Sequence, residues 1–290
     1  MGTKTKYWLE NPGSGRRVMV KYARPNTGED WSEKLAYELG RKLAVPCPRV
    51  DLFTASDGRG VLCWDFLRTR RSAPGSAEPS LIHGNELLFK RDPQYPTGEK
   101  YGVRQHTLDA VYEALSQCEP LRTHAAHVAF KDGFDTFVGY LMLDALIANT
   151  DRHHENWGVI SKRTQHGHRL TIAPSYDHAS SLGRELNDTK RQNRLGSSGR
   201  GTIADYAKKA VSALRGGAGE ELTVLEILLQ AAQLRPAAFH VWKSQLESAT
   251  LPELLGEVER VPSSHLTETG KRFVRNLLEH NYHRVLETTA

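Results

Sequence analysis

The stretch LIANTDRHHENWGVI, residues 146–160, ends an apolar run in Asp151, His153, His154 and Asn156, then turns apolar again. Three kinds of site share this composition: a metal centre on the histidines, a proton-transfer site on the aspartate, and a polar loop capping a buried helix. Adjacent histidines usually point to opposite sides of the chain, so His153 and His154 make a poor chelating pair, and the metal-dependent nuclease they would suggest ranks low. The surroundings separate the other two. Upstream, residues 134–149 are nearly apolar all round, the pattern of a helix at the centre of a core. Downstream, 157–160 and 170–173 read as strands joined by the polar turn 161–168, and the chain continues Pro174-Ser175-Tyr176-Asp177.

A buried helix, a loop carrying Asp-x-x-x-x-Asn, a hairpin and a second Asp form the layout that phosphoryl transfer uses in protein kinases. The residue types follow from the chemistry. An Asp orients the attacking hydroxyl and accepts its proton; an Asn and a second Asp offer oxygens to magnesium, which keeps several waters and needs few carboxylates. Asp151 fits the first role, and Asn156 and Asp177 fit the second.

Working toward the N-terminus, Lys6–Glu10 and Arg17–Tyr22 are strand candidates around the turn Asn-Pro-Gly-Ser-Gly. Lys21 sits near the end of the second of them, where an ammonium can reach the α- and β-phosphates of ATP. Trp31, Leu35, Ala36, Leu39 and Leu43 then recur at amphipathic-helix spacing, ending before Pro46. Asp30 and Glu33 resemble a capping arrangement at the start of this helix. Glu33 and Glu38 both flank its apolar face, and periodicity does not choose between them as the partner of Lys21. Gly2, Thr3 and Lys4 can offer backbone amides to phosphate oxygens.

A second strand pair, 50–54 and 60–67, follows the helix. Residues 68–105 are read as a linker or insertion, because 68–97 is rich in Arg, Pro, Gly and Ser. Within it, 81–88 (LIHGNELL) is expected to be a surface turn, with a fold over the nucleotide as the alternative. Helices are expected at 108–118, 134–149, 203–214, 222–233, 236–248 and 268–287, and a mobile basic loop at 184–201. That loop, with Arg184, Lys190, Arg191, Arg194 and Arg200, follows Asp177 where kinases carry the activation segment, a place to hold an acidic or phosphorylated substrate. The order predicts an α+β, two-lobed protein-kinase-like fold, with a small β-rich N-lobe carrying one helix and a larger, mainly helical C-lobe. The expected division is 1–67, 68–105 and 106–290.

Composition sets the outer limits. With 290 residues, 39% hydrophobic and 25% charged, the chain has the makeup of a globular protein with a sizeable core. It has no stretch apolar enough for a membrane span and no signal-peptide core at its start, so a cytoplasmic location is expected. Cys47, Cys63 and Cys118 are odd in number and lack CxxC spacing, which argues for a reducing compartment and against a structural zinc or a disulfide framework. A net charge of +5 permits an anionic partner without requiring one.

The segment Asn149-Thr150-Asp151-Arg152-His153-His154-Glu155-Asn156 resembles the catalytic loop N-T-D-R-H-x-x-N of HipA-type serine/threonine kinases, and Pro174-Ser175-Tyr176-Asp177 is similar to that family's P-x-Y-D segment. The resemblance implies Asp151 as catalytic base, His153 as a support of the catalytic loop, and Asn156 and Asp177 as metal ligands. Gly2 and Lys6 match the end of the family's phosphate loop, S-G-x-Q-x-K, which adds Thr3 and Lys6 to the nucleotide contacts. The family's helix pattern laid over residues 33–46 favours Glu33 as the partner of Lys21. The chain reads as a short form without the family's N-terminal domain, and without the serine at the front of the phosphate loop through which that loop is regulated.

These readings lead to an ATP- and Mg2+-dependent protein serine/threonine kinase. An antitoxin-like protein partner is compatible with it; direct nucleic-acid binding and membrane association are not expected. A non-catalytic kinase-like binding module or toxin–antitoxin component is the second reading. A small-molecule kinase is the third, since such enzymes usually place Asp-x-x-x-x-Asn after His-Gly, which is missing here.

Overall fold

The computed structural model describes residues 5–67, 78–165 and 167–289. The first lobe is a four-stranded antiparallel sheet formed by β1 (Lys6–Glu10), β2 (Arg17–Tyr22), β3 (Val50–Ala55) and β4 (Gly58–Trp64), in the order β1-β2-β4-β3. Helix α1 (Glu29–Lys42) packs on β3 and β4. Its apolar stripe is buried, with Trp31, Leu35, Ala36 and Leu39 each at most 1% exposed, as the sequence spacing requires. Glu29 and Asp30 in its first turn and Arg41 and Lys42 in its last complement the helix dipole.

The expected Asp30–Glu33 cap does not form. Gly28 occupies the cap position without a side-chain hydrogen bond, and both carboxylates are engaged elsewhere. The Asp30 carboxylate accepts from Arg59 Nε at 3.1 Å and lies 2.7 Å from His265 Nδ1. Arg59 also donates to the carbonyls of Ser264 and His265, at 2.7 and 2.9 Å. Helix α1, strand β4 and the C-terminal segment are thereby joined at one buried point.

The larger lobe is organised by α4 (Gly133–Ile147), every residue of which is buried. Asp132 caps it by accepting from the amides of Phe134 and Asp135, and Ala148 ends it in a left-handed conformation, φ 51°. Helices α7 (Val224–Leu234), α8 (Pro236–Ser248) and α10 (Glu268–Leu286) pack around it. Gly139 is what lets α8 approach: a β-carbon there would lie 2.3 Å from the Trp242 ring. Trp242 donates its indole hydrogen to the Asp135 carbonyl at 2.8 Å, so the large side chain is buried with its polar atom satisfied. Asn281 of α10 donates to the Leu146 carbonyl at 3.0 Å and so holds the end of α4 just ahead of the 149–156 loop.

A second sheet covers the other side of that loop, in the order β5 (Ser80–His83), β6 (Gly158–Thr164) and β7 (Gly167–Ile172), all antiparallel. Residues 80–91, where a connector with a surface turn at 81–88 was expected, instead form an edge strand and helix α2 (Gly84–Arg91), which packs on α3 (Leu108–Leu115). The basic stretch 184–201, expected as a loop, contains α5 (Asp188–Gly196). Arg191 of that helix is buried, donates to the Gly183 carbonyl at 3.3 Å and sits over the Trp31 ring at 5.4 Å. Tertiary contacts make the helix where composition disfavours it. α6 (Ile203–Lys208) and α9 (Leu251–Glu259) complete the fold; α9 falls in a stretch where no helix was expected. Among the described residues no helix is long and apolar enough to cross a membrane. The fold is a small antiparallel-sheet lobe joined to a larger helical region.

Candidate active site

The loop after α4 is fixed from beneath by one buried ion pair. Arg152 and Asp144 are both within 2% of full burial. Arg152 donates from Nε to Oδ2 at 2.8 Å and from Nη2 to Oδ1 at 2.7 Å, a bidentate contact. Its third nitrogen, Nη1, donates to the Asn156 carbonyl at 2.8 Å. Asn149 adds a bond from Nδ2 to Asp144 Oδ1 at 2.8 Å and accepts from the Asp151 amide at 3.2 Å. Asn156 donates from Nδ2 to the Asp151 carbonyl at 2.7 Å, which spends its amide nitrogen and leaves its side-chain oxygen as an acceptor.

Asp151 is held above this platform. Its Oδ2 accepts from the Ser180 hydroxyl at 3.1 Å, and Oδ1 lies 3.8 Å from His153 Nε2. Burial raises its pKa, the Ser180 hydrogen bond lowers it, and the charge of Asp177 raises it again; the net shift is upward. The carboxylate is therefore a stronger proton acceptor than a solvated one. His153 is 2% exposed and neutral, since burial depresses its pKa to about 3. Its Nδ1 accepts from the Glu155 amide at 3.1 Å, and Tyr101 lies edge-on to its ring at 5.5 Å. His153 thus braces the loop as a neutral side chain.

Asp177 follows β7 with φ 61°, a left-handed conformation that Asp tolerates better than most residues. Lys21 Nζ lies 3.1 Å from Asp177 Oδ1 and 4.0 Å from Glu33 Oε2. Burial lowers the Lys21 pKa, but Asp177 and Glu33 outweigh it and hold the ammonium well above its usual value. Glu38 is occupied by Lys34 at 2.7 Å and Arg41 at 3.0 Å, so the choice periodicity left open falls on Glu33. Glu33 Oε1 accepts from the His178 amide at 3.2 Å, tying α1 to the residue after Asp177.

Lys21, Glu33, Asn156 and Asp177 line one cavity of about 660 Å³ between the strand lobe and the loop. Lys6, paired across the sheet with Lys21, lines it as well. Apolar walls come from Trp8, Met19, Trp64 and Phe66, with Phe66 stacked on Tyr176 at 5.9 Å. Gly2 and Thr3 lie outside the described residues. Among the described residues no group of three or more His, Cys, Asp or Glu could hold a metal ion. The donor set that is present, one carboxylate and one amide oxygen beside a lysine, suits a hard cation that brings water and phosphate oxygens as its remaining ligands.

Several residues here take contacts that the sequence did not assign them, although His83 lies in the singled-out stretch 81–88 and Arg184 in the basic stretch 184–201. His83 Nδ1 lies 3.0 Å from both the Tyr176 hydroxyl and the Glu155 carbonyl, joining β5 to the loop. Ser180 touches Asp151 and receives a bond from Arg184 Nη2 at 3.2 Å, and Arg184 Nη1 donates to Glu29 of α1 at 3.2 Å. The Gly28 amide donates to the Arg184 carbonyl at 2.8 Å, and Ser32 donates to the Ser181 carbonyl at 3.0 Å. The segment after Asp177 is thereby fastened to the start of α1.

The structure is similar to that of the Helicobacter pylori proinflammatory kinase CtkA, with a TM-score of 0.70 and 18% identity over 99% of this chain and 90% of that one. It is also similar to HipA of Shewanella oneidensis MR-1, solved with HipB and operator DNA, with a TM-score of 0.61 and 13% identity over all of this chain and 67% of that one. At such identities the likeness establishes the fold, which is kinase-like. No curated protein matches the sequence. The profile of the HipA-like C-terminal domain matches residues 1–231, and the chain belongs to that family.

Proposed function

We propose that this chain is an ATP-dependent phosphotransferase acting on serine or threonine hydroxyls of a protein, with Asp151 as the base. The observation that carries this reading is the placement of Asp151, with its raised pKa, on the loop that brings Asn156 to the cavity lined by Lys21 and Asp177. Asp177 and the Asn156 oxygen would hold magnesium, which supplies charge neutralisation at the phosphates when bound. Lys21, poised between Glu33 and Asp177, would hold the α- and β-phosphates, and Lys6 would add a second cation. Gly2 and Thr3 complete the proposed phosphate contacts. His153 holds the loop in register. Asp151 receives the acceptor proton as its oxygen attacks.

The division of labour follows the proposed segments: 1–67 for the triphosphate, 68–105 as connector and rim, and 106–290 for the base, metal ligands and acceptor. An antitoxin-like protein belongs among the proposed partners, because the Shewanella protein was solved with HipB. The proposed setting is the cytoplasm, in keeping with the free cysteines 47, 63 and 118.

The test is transfer of labelled γ-phosphate into lysate proteins, followed by phosphoamino-acid analysis. Label on serine or threonine is expected. Absence of label from every protein, with nucleotide still bound, would leave the non-catalytic module; label confined to small molecules would favour the small-molecule kinase.

A further inference from the structure

A second cavity, of about 490 Å³, lies beside the Asp151 loop. It shares no lining residue with the 660 Å³ cavity. Thr150 and Ser180 line it, and Ser180 donates to Asp151 Oδ2, so the carboxylate stands between residues of the two spaces. If nucleotide fills the first, an acceptor hydroxyl needs another approach to Asp151, and Ser180, which lines this cavity and bonds the carboxylate, marks where that approach lies.

The charges around it are unevenly satisfied. Its carboxylates are occupied within the fold: Glu185 accepts from the Tyr206 hydroxyl at 2.9 Å, and Asp205 accepts from the amides of Gly201 at 2.6 Å and Thr202 at 3.2 Å. Arg184 is shared between Glu29 and Ser180. Arg194 lies over the Tyr206 ring at 5.0 Å. Among the described residues, neither Arg194 nor Lys209 has a carboxylate within 4.0 Å. The lining sets three cations, Arg184, Arg194 and Lys209, against two carboxylates, Glu185 and Asp205, and Lys209 acts on Asp205 only at longer range, so the surplus charge is positive and the group that complements it is an anion.

We propose that this cavity is the acceptor subsite and that it selects serine- or threonine-containing peptides with an Asp or Glu close to the hydroxyl. The inference rests on the phosphotransferase reading for the role of Asp151. In the transfer, the acceptor oxygen bonds the γ-phosphorus, the bond from that phosphorus to ADP breaks, and the hydroxyl proton passes to Asp151. Arg194 and Lys209 take no part in the bond changes; they hold the acidic side chain.

The experiment measures binding of two labelled serine peptides of equal length, one flanked by Asp and Glu and one by Lys and Arg. It uses the full chain with magnesium and a non-hydrolysable ATP analogue. The acidic peptide is expected to bind about tenfold tighter, the combined effect of two partly solvated ion pairs, and to weaken as salt is raised. In the R194E/K209E variant the preference should vanish or invert, while analogue affinity stays unchanged because those residues line a separate cavity. Equal or tighter binding of the basic peptide by the wild type overturns the inference, as does failure to bind either peptide. R194Q/K209Q, which introduces no repulsion, replaces the double reversal if that variant does not fold. A parallel transfer assay separates the two claims. Acidic preference in binding without transfer leaves the subsite and removes the phosphotransferase reading, whereas transfer without acidic preference does the reverse.

Discussion

The two cavities beside Asp151 are built on opposite principles. The larger one is assembled from distant parts of the chain, β1 and β2, α1, β5 and the 155–177 region, and carries charges of both signs already in contact with each other. The smaller one is drawn from 148–150 and 180–210, and sets Arg184, Arg194 and Lys209 against two hydrogen-bonded carboxylates, Glu185 and Asp205. A cavity of mutually paired charges is preorganised for a ligand that brings both signs, such as a polyphosphate with its cation. A cavity with surplus charge of one sign discriminates among ligands by charge. The difference separates chemistry from selection, and substitutions on each side should have different signatures.

The largest expected effect lies on the paired side. Asp177→Ala should weaken magnesium–nucleotide binding by at least about tenfold, the lower bound found even for residues that only orient metal ligands. It should also lower transfer by about a thousandfold or more through lost phosphate neutralisation. Calorimetric titration with and without magnesium checks the first part; a change confined to acceptor KM would contradict the paired-cavity account.

Arg152→Ala addresses the platform that both cavities share. Removing the guanidinium leaves Asp144 buried without its bidentate partner, a loss of about 3–5 kcal/mol. Denaturant titration should report that loss, and binding of nucleotide and acceptor should both suffer. Loss on one side alone would mean that the cavities do not rest on a common floor.

How much of this the chain disclosed in advance depended on distance along it. That residues 149–156 form a loop after a buried helix, and that Asp177 follows a hairpin, was legible because an all-apolar helix and two short strands each leave a local pattern; the roles of these residues belong to the proposal. Helix α1 was readable because burial of one face imposes its period on Trp31, Leu35, Ala36, Leu39 and Leu43. Asp30 was misread as part of a cap because its partners, Arg59 and His265, are remote in sequence. α5 was missed because a polar, basic helix carries almost no periodic signal, and what orders Arg191 is the Gly183 carbonyl and Trp31. Ser180 had no local mark either, and His83 stood out only as part of 81–88, since a serine or histidine acquires a role only from what the fold sets against it. Gly2 and Thr3 lie outside the described residues.

A smaller effect concerns pH. His106, 2% exposed, accepts from Trp157 Nε1 at 3.0 Å, and burial lowers its pKa to about 3. The unfolded chain therefore binds this proton more readily than the folded one. Stability is complete above the unfolded value and is lost as pH falls from about 6.5 toward the folded value, reaching about 2 kcal/mol at pH 5. Thermal melts at pH 7 and pH 5 should reveal the loss, and His106→Gln should narrow the gap between them. An unchanged gap would show that the buried neutral His106 does not set this pH dependence.

The smallest expected change is at the partition itself. Ser180 donates to ionised Asp151 and so opposes the upward pull of burial. Ser180→Ala should move the acid limb of the transfer rate to higher pH, because the base then loses its charge earlier as pH falls. Nucleotide affinity should not change. An acid limb that stays in place, or moves lower, would show that Ser180 does not tune the base.

The central claim is that one carboxylate, between two cavities, takes the acceptor proton. Its most direct test is a single-turnover measurement of γ-phosphate transfer by wild type and Asp151→Ala, with nucleotide affinity determined on the same preparations. The account predicts a fall in transfer of about a thousandfold, within the range general bases supply, at nearly unchanged nucleotide affinity. Transfer at the wild-type rate by a folded, nucleotide-bound Asp151→Ala protein would contradict it.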